Sequence, residues 1–196
     1  KNNQPFWEEF SVLVLETKRR LTKNEQNIIF NTLSSLPDGK PLPKVISLET
    51  VKGSGYINGK LDFTTRAVLL KCQPHYVRGV LLHEIFHLWQ TLGVLTPGQQ
   101  ADFTRLWKGS SRTDTLDFAR QHGTIDITED STTVFEDYSL DSRNIFTRAL
   151  AQAHAGRPVL LRKLLVVADM LTHCIVDENG KESKVTYIFG EDADGL

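Results

Sequence analysis

The stretch LLHEIFHLWQ (81–90) sets His83 and His87 four residues apart, with Glu84 beside the first. On a helix, residues four apart stack on one strip, so both imidazoles can reach a single ion at about 2.0–2.1 Å, the usual zinc–histidine distance. Glu84 is turned by one residue, which sets its carboxylate beside such an ion rather than on it. There it can take a proton from a zinc-activated water, the general-base role in metal-assisted peptide hydrolysis. Both parts are needed: zinc brings the water's pKa toward about 7, and the carboxylate accepts the proton. So short a motif also arises by chance, and the bland alternative is a core helix with coincidental histidines. The context speaks against that alternative. The motif lies in an apolar run that follows a strand-like segment and Pro74, and burying its three polar groups without a ligand costs several kcal/mol.

The surrounding pattern supplies elements able to position these groups. Leu82, Ile85, Phe86 and Trp89 recur at helical spacing, and Gly93 is placed to end that helix. Upstream, FWEEF favours a helical start within an apolar segment (6–20) whose period is ambiguous. TKNE then reads as a capping box, with Thr22 as N-cap and Glu25 at N3, opening a helix that carries Ile28, Ile29, Leu33 and Leu36. PDGKPLP stops it. KVISLETV (44–51) and RAVLLKC (66–72) read as strands, and GYINGKLDF between them carries Asn58-Gly59 as a type I′ hairpin turn. Downstream, Thr96-Pro97 opens a helix burying Phe103, Leu106 and Trp107. After a polar stretch (108–127), Thr128 caps a helix beginning EDSTTVFEDY. A last helix spans about 157–173, and Asn179-Gly180 marks a terminal hairpin. The expected fold class is α+β, as one domain: an α/β part with the motif helix (1–95), then a mainly helical part (96–196).

Composition narrows the function classes. The chain has 196 residues and a net charge of −1, which gives no sign of a nucleic-acid partner or an anionic membrane surface. The one basic cluster, Lys18-Arg19-Arg20 with Lys23, is expected to face solvent. No apolar stretch is long enough to span a bilayer. The first residue is Lys1 rather than methionine, which leans toward a processed, secreted or extracytoplasmic protein. Two cysteines, Cys72 and Cys174, are too few for a disulfide scaffold; a single bridge and two separate thiols both remain open. Neither lies at metal-ligand spacing. His75, His154 and His173 likewise lack ligand spacing and are expected to be structural or exposed.

HEIFH after a strand, with an acidic ED heading a later helix, resembles the gluzincin branch of the zincin metallopeptidases, most closely the bacterial group that includes the anthrax lethal factor peptidase domain. The resemblance covers about residues 20–175 and is strongest at 81–90. It implies a zincin-like fold, with a small mixed sheet and active-site helix before a helical lobe. It also implies a zinc cofactor, a peptide or protein substrate, and a third zinc ligand from the first glutamate of an E-D-F-A-E-like helix. Two registers of that pattern fit. Glu129 as ligand leaves Ser131, Thr132 and Thr133 in place of the family's aromatic, alanine and glutamate; Glu136 leaves Leu140 where an acid is expected. Glu129 is preferred, for its place at the helix start and its spacing to the segment RPVLLRKLL, which is similar to the family's P-x-L-x-x-K helix. The family carries a tyrosine seven residues before this glutamate, where its hydroxyl helps hold the oxyanion. Here that position is His122, in RQHGT, and a protonated imidazole can donate to an oxyanion too. By the same resemblance, RAVLLKC is the sheet edge to which a substrate adds as a further strand.

The expected function is a zinc-dependent endopeptidase, with His83, His87 and Glu129 as ligands and Glu84 and His122 as catalytic groups. The alternative is a zinc-binding zincin-fold module that no longer cleaves and serves in binding or regulation, since fold alone does not guarantee activity. Metal analysis separates both from a helical domain without metal, and chelator-sensitive peptide cleavage separates the first from the second.

Overall fold

The computed structural model describes residues 4–16, 20–49, 58–113, 115–187 and 189. Mixed α+β structure is distributed over two compact units, one built on the chain up to Leu92 and one on Gly93–Glu191. The break falls at Gly93, whose φ of +70° closes the preceding helix in the left-handed region where glycine carries no steric cost.

In the first unit, helix α1 (Gln4–Phe10) is followed directly by strand β1 (Leu13–Glu16), which resolves the ambiguous period of that segment. Helix α2 (Lys23–Ser34) opens on the expected capping box: Thr22 accepts from the Glu25 N–H, and the Glu25 carboxylate accepts from the Thr22 N–H at 2.8 Å. Ile29 and Leu33 are buried on its inner face, and Leu36 is buried just beyond its end. Strands β2 (Val45–Glu49), β3 (Asn58–Asp62) and β4 (Ala67–Lys71) join β1 in a sheet of order β1-β2-β4-β3. β1, β2 and β4 run parallel, and β3 runs antiparallel to β4. β2 and β4 alternate, burying Ile46, Leu48, Val68 and Leu70. Helix α3 (Val77–Thr91), entered through a 3₁₀ turn at Pro74–Tyr76, packs on β3, β4 and α2. Of the basic cluster, Arg20 and Lys23 are exposed; Lys18 and Arg19 lie outside the described residues.

Two expectations are corrected here. RAVLLKC is not an edge: β4 is paired on both sides, by β2 and β3, and β3 is the edge strand on that side among the described residues. Asn58-Gly59 is not a turn, because both residues lie inside β3, opposite Lys71 and Leu70. The chain reverses after β3 instead. There the Asp62 carboxylate accepts from the Thr64 and Thr65 N–H groups at 2.9 and 3.3 Å, and Arg66 takes a positive φ of 53°. An aspartate binding the backbone two residues on stabilises a turn as well as an Asn-Gly pair does.

In the second unit, helix α4 (Pro97–Lys108) is capped by Thr96 and buries Phe103, with Leu106 and Trp107 half-buried. A 3₁₀ turn (Gln121–Thr124) precedes helix α5 (Ile127–His154), and helix α6 (Val159–Met170) packs along α5. The cap of α5 is Asp126 rather than Thr128: Asp126 is extended, and its carboxylate accepts from the Glu129 N–H at 2.9 Å. Thr128 lies within the first turn. Helical geometry breaks at Asp141 (φ −156°, ψ 75°), whose carboxylate accepts from the Asn144 N–H and so caps the continuation. The terminal hairpin, β5 (Thr172–Val176) and β6 (Glu182–Thr186), forms as expected around Gly180, at φ +76°. Cys72 is buried and Cys174 exposed, and both are free thiols. No helix among the described residues is long and apolar enough to cross a membrane.

Candidate metal centre

The candidate residues divide between the units: His83, Glu84 and His87 in the first, His122, Glu129 and Glu136 in the second. On α3, Leu81, Leu82, Ile85, Phe86, Leu88 and Trp89 are all fully buried, and the Trp89 indole N–H donates to the Pro41 carbonyl at 2.7 Å. This apolar anchoring fixes the helix rotation. His83 and His87 are left half-buried on one strip, and their Nε2 atoms converge to 3.1 Å. Two nitrogens bound tetrahedrally at about 2.05 Å would stand about 3.3 Å apart, so the observed pair fits one zinc ion with little adjustment. The donor chemistry fits as well. His87 Nδ1 lies 3.0 Å from the Gln90 side-chain carbonyl; a carbonyl only accepts, so Nδ1 carries the proton and Nε2 keeps its lone pair for a cation. Gln90 thereby stands where the outer partner of a metal-ligating histidine would be found. It stands three residues after His87, a helical spacing that could have revealed it in the sequence.

Glu84 is buried, with 6% of its surface exposed. Its carboxylate lies against Gly59 on β3, at a spot that any larger residue's Cβ would occupy. Helix α3 therefore carries two converging imidazoles and, next to His83 in the chain, a carboxylate seated against strand β3.

In the second unit, the 3₁₀ turn brings His122 to Glu129, with Nε2 and Oε2 3.1 Å apart. This turn packs closely on α5 through Gly123, where a Cβ would meet Thr133 Oγ1 at 3.0 Å and Asp130 Cα at 3.1 Å. The Trp107 indole N–H donates to the Gly123 carbonyl at 3.3 Å. Behind Glu129, Asp130 pairs with Lys163 at 2.7 Å, both side chains fully buried. Lys163 also donates to the Asp117 carbonyl at 2.8 Å and stands 4.1 Å above the Phe118 ring. Burial pushes the Asp130 carboxyl up to about 6 against the pull of Lys163, and burial lowers the Lys163 ammonium. This network joins the segment leading to His122, the first turn of α5 and α6. Sequence reasoning missed it, although the ED pair and the lysine of RPVLLRKLL were both in view.

Glu136 is differently placed. It is buried and accepts from Arg120 at 2.7 Å, while the same guanidinium holds Asp137 at 2.6 Å. A carboxylate already neutralised by a guanidinium, even a partly exposed one such as that of Arg120, is a poor candidate for a cation. Glu129, half-buried beside an imidazole, is the better donor. His75, His154 and His173 are exposed. Comparison with protein-family models, with curated proteins and with solved structures finds no match to this chain.

Proposed function

We propose that this protein is a zinc-dependent peptidase of zincin-like fold, with His83, His87 and Glu129 as the protein ligands of one ion. The observation that carries the reading is the convergence of His83 and His87 Nε2 to 3.1 Å, with the buried Glu84 next to His83 on the same helix. The reading requires the two units to share the ion, since Glu129 belongs to the second. A bound zinc ion supplies Lewis acidity, which acidifies water and polarises a carbonyl. Glu84 accepts the proton that the attacking water loses and returns it to the leaving amine, a role suited to a carboxylate held in a partly desolvated seat. Gln90 keeps His87 in the tautomer whose Nε2 can bind. His122, next to Glu129, donates a hydrogen bond to the oxyanion that develops on the scissile carbonyl. The substrate is an extended peptide, and β3 rather than β4 offers it a strand edge.

The test is cleavage of a broad peptide library by purified protein. Hydrolysis abolished by chelator, restored by zinc and absent from Glu84→Gln is the expected result. Bound zinc without any cleavage would instead leave a binding or regulatory module.

A further inference from the structure

The Glu84 carboxylate occupies space that a side chain on the neighbouring strand would otherwise fill. A Cβ built on Gly59 would stand 2.7 Å from both Cγ and Cδ of Glu84 and nearer still to Oε1, whereas non-bonded carbon atoms rest about 3.5–4.0 Å apart. Glycine is not demanded there by the backbone. Gly59 is paired in β3 opposite Leu70, and among the described residues the left-handed glycines are Gly39, Gly93, Gly156 and Gly180. What demands glycine is the close approach of Glu84. The atoms that would collide are the far end of a flexible side chain, so a methyl group at 59 displaces the carboxylate, by on the order of 1 Å, and leaves the strand in place.

Building on the reading of Glu84 as general base, we propose that Gly59 is a positioning residue: its missing side chain is the seat that holds the Glu84 carboxylate where it can take the water's proton. Strand β3 thus sets the geometry of the base on α3 through an absence of atoms.

The test is Gly59→Ala, with Asn31→Ala, an exposed residue on α2, as control. In Gly59→Ala we expect kcat to fall on the order of 100-fold, as about 1 Å of misplacement does, with KM and zinc content at wild-type values. Its Tm is unchanged or slightly raised, because alanine loses less backbone freedom than glycine in a strand. Adding Gly59→Ala to Glu84→Gln costs no further activity, since the two act as one unit. A crystal structure of metal-free Gly59→Ala shows the Glu84 carboxylate displaced, a readout independent of turnover. Asn31→Ala behaves as wild type. Wild-type kcat in Gly59→Ala, an unmoved carboxylate, or a fall in Tm that accounts for the lost activity overturns the inference alone. A wild type that cleaves no peptide overturns the reading of Glu84 as base, and this inference with it.

Discussion

Replacing Lys163 with methionine tests whether the buried network behind Glu129 holds the second unit together. Lys163 and Asp130 are both fully buried and 2.7 Å apart. The substitution leaves an uncompensated carboxylate, and breaking a buried pair from one side costs about 3–5 kcal/mol. It also strips the Asp117 carbonyl of its 2.8 Å donor, worth about 1 kcal/mol more, while the methionine chain keeps most of the packing on Phe118. One effect limits the total. The Asp130 carboxyl already sits at about 6, and losing the cation moves it higher, so at pH 7 the carboxyl takes up a proton rather than remaining buried as an ion. The expected loss is therefore about 3 kcal/mol, the low end of the range, against a typical total stability of about 5–15 kcal/mol. Urea unfolding at pH 7, followed by circular dichroism, measures it. The double variant Lys163→Met with Asp130→Leu should recover most of the loss, because an apolar pair of similar volume is neutral or better at such sites. A single variant within about 1 kcal/mol of wild type, or a double variant no better than the single, would refute the assignment.

Glu129→Ala should lower zinc affinity sharply and Glu136→Ala should leave it nearly unchanged; equilibrium dialysis against a zinc buffer separates them, and the opposite order would move the ligand to Glu136. Gln90→Leu should weaken zinc about 10- to 100-fold by freeing the His87 ring, whereas His122→Ala should slow turnover at full zinc occupancy. Thiol titration at pH 8 should find Cys174 reactive and Cys72 silent, since burial pushes the Cys72 thiol up to about 11. Because that folded pKa lies above the unfolded one, Cys72 favours the folded state below about pH 9, and its contribution disappears as pH rises toward 11.

Much of the fold is legible in the chain because the signals are local. Thr22 with Glu25, Pro97 after Thr96, Gly93 and Asn179-Gly180 each act within one turn of backbone, and each marks the boundary expected of it. The misreadings have non-local causes. Asn58-Gly59 carries the strongest short hairpin signal, yet Gly59 answers to Glu84, twenty-five residues away in sequence and in contact across the fold. Strand order is equally invisible locally: nothing in AVLLK says that β3 will cover its open side. Within the candidate site, His83, Glu84 and His87 are legible because helical periodicity alone brings them together. Glu129 and His122 needed the resemblance, and their 3.1 Å contact arises from a 3₁₀ turn that no periodicity announces. The Thr128 cap was misplaced by two residues because Asp126 and Thr128 are both good caps, and only the extended backbone at Asp126 distinguishes them.

The central claim is that His83, His87 and Glu129 hold one zinc ion beside Glu84. Anomalous diffraction from zinc-loaded crystals, recorded on both sides of the zinc absorption edge, tests it most directly. The account predicts one strong peak per chain at about 2.0–2.2 Å from His83 Nε2, His87 Nε2 and a Glu129 carboxylate oxygen. No peak at this place, or a peak whose ligands omit both histidines of α3, would contradict it.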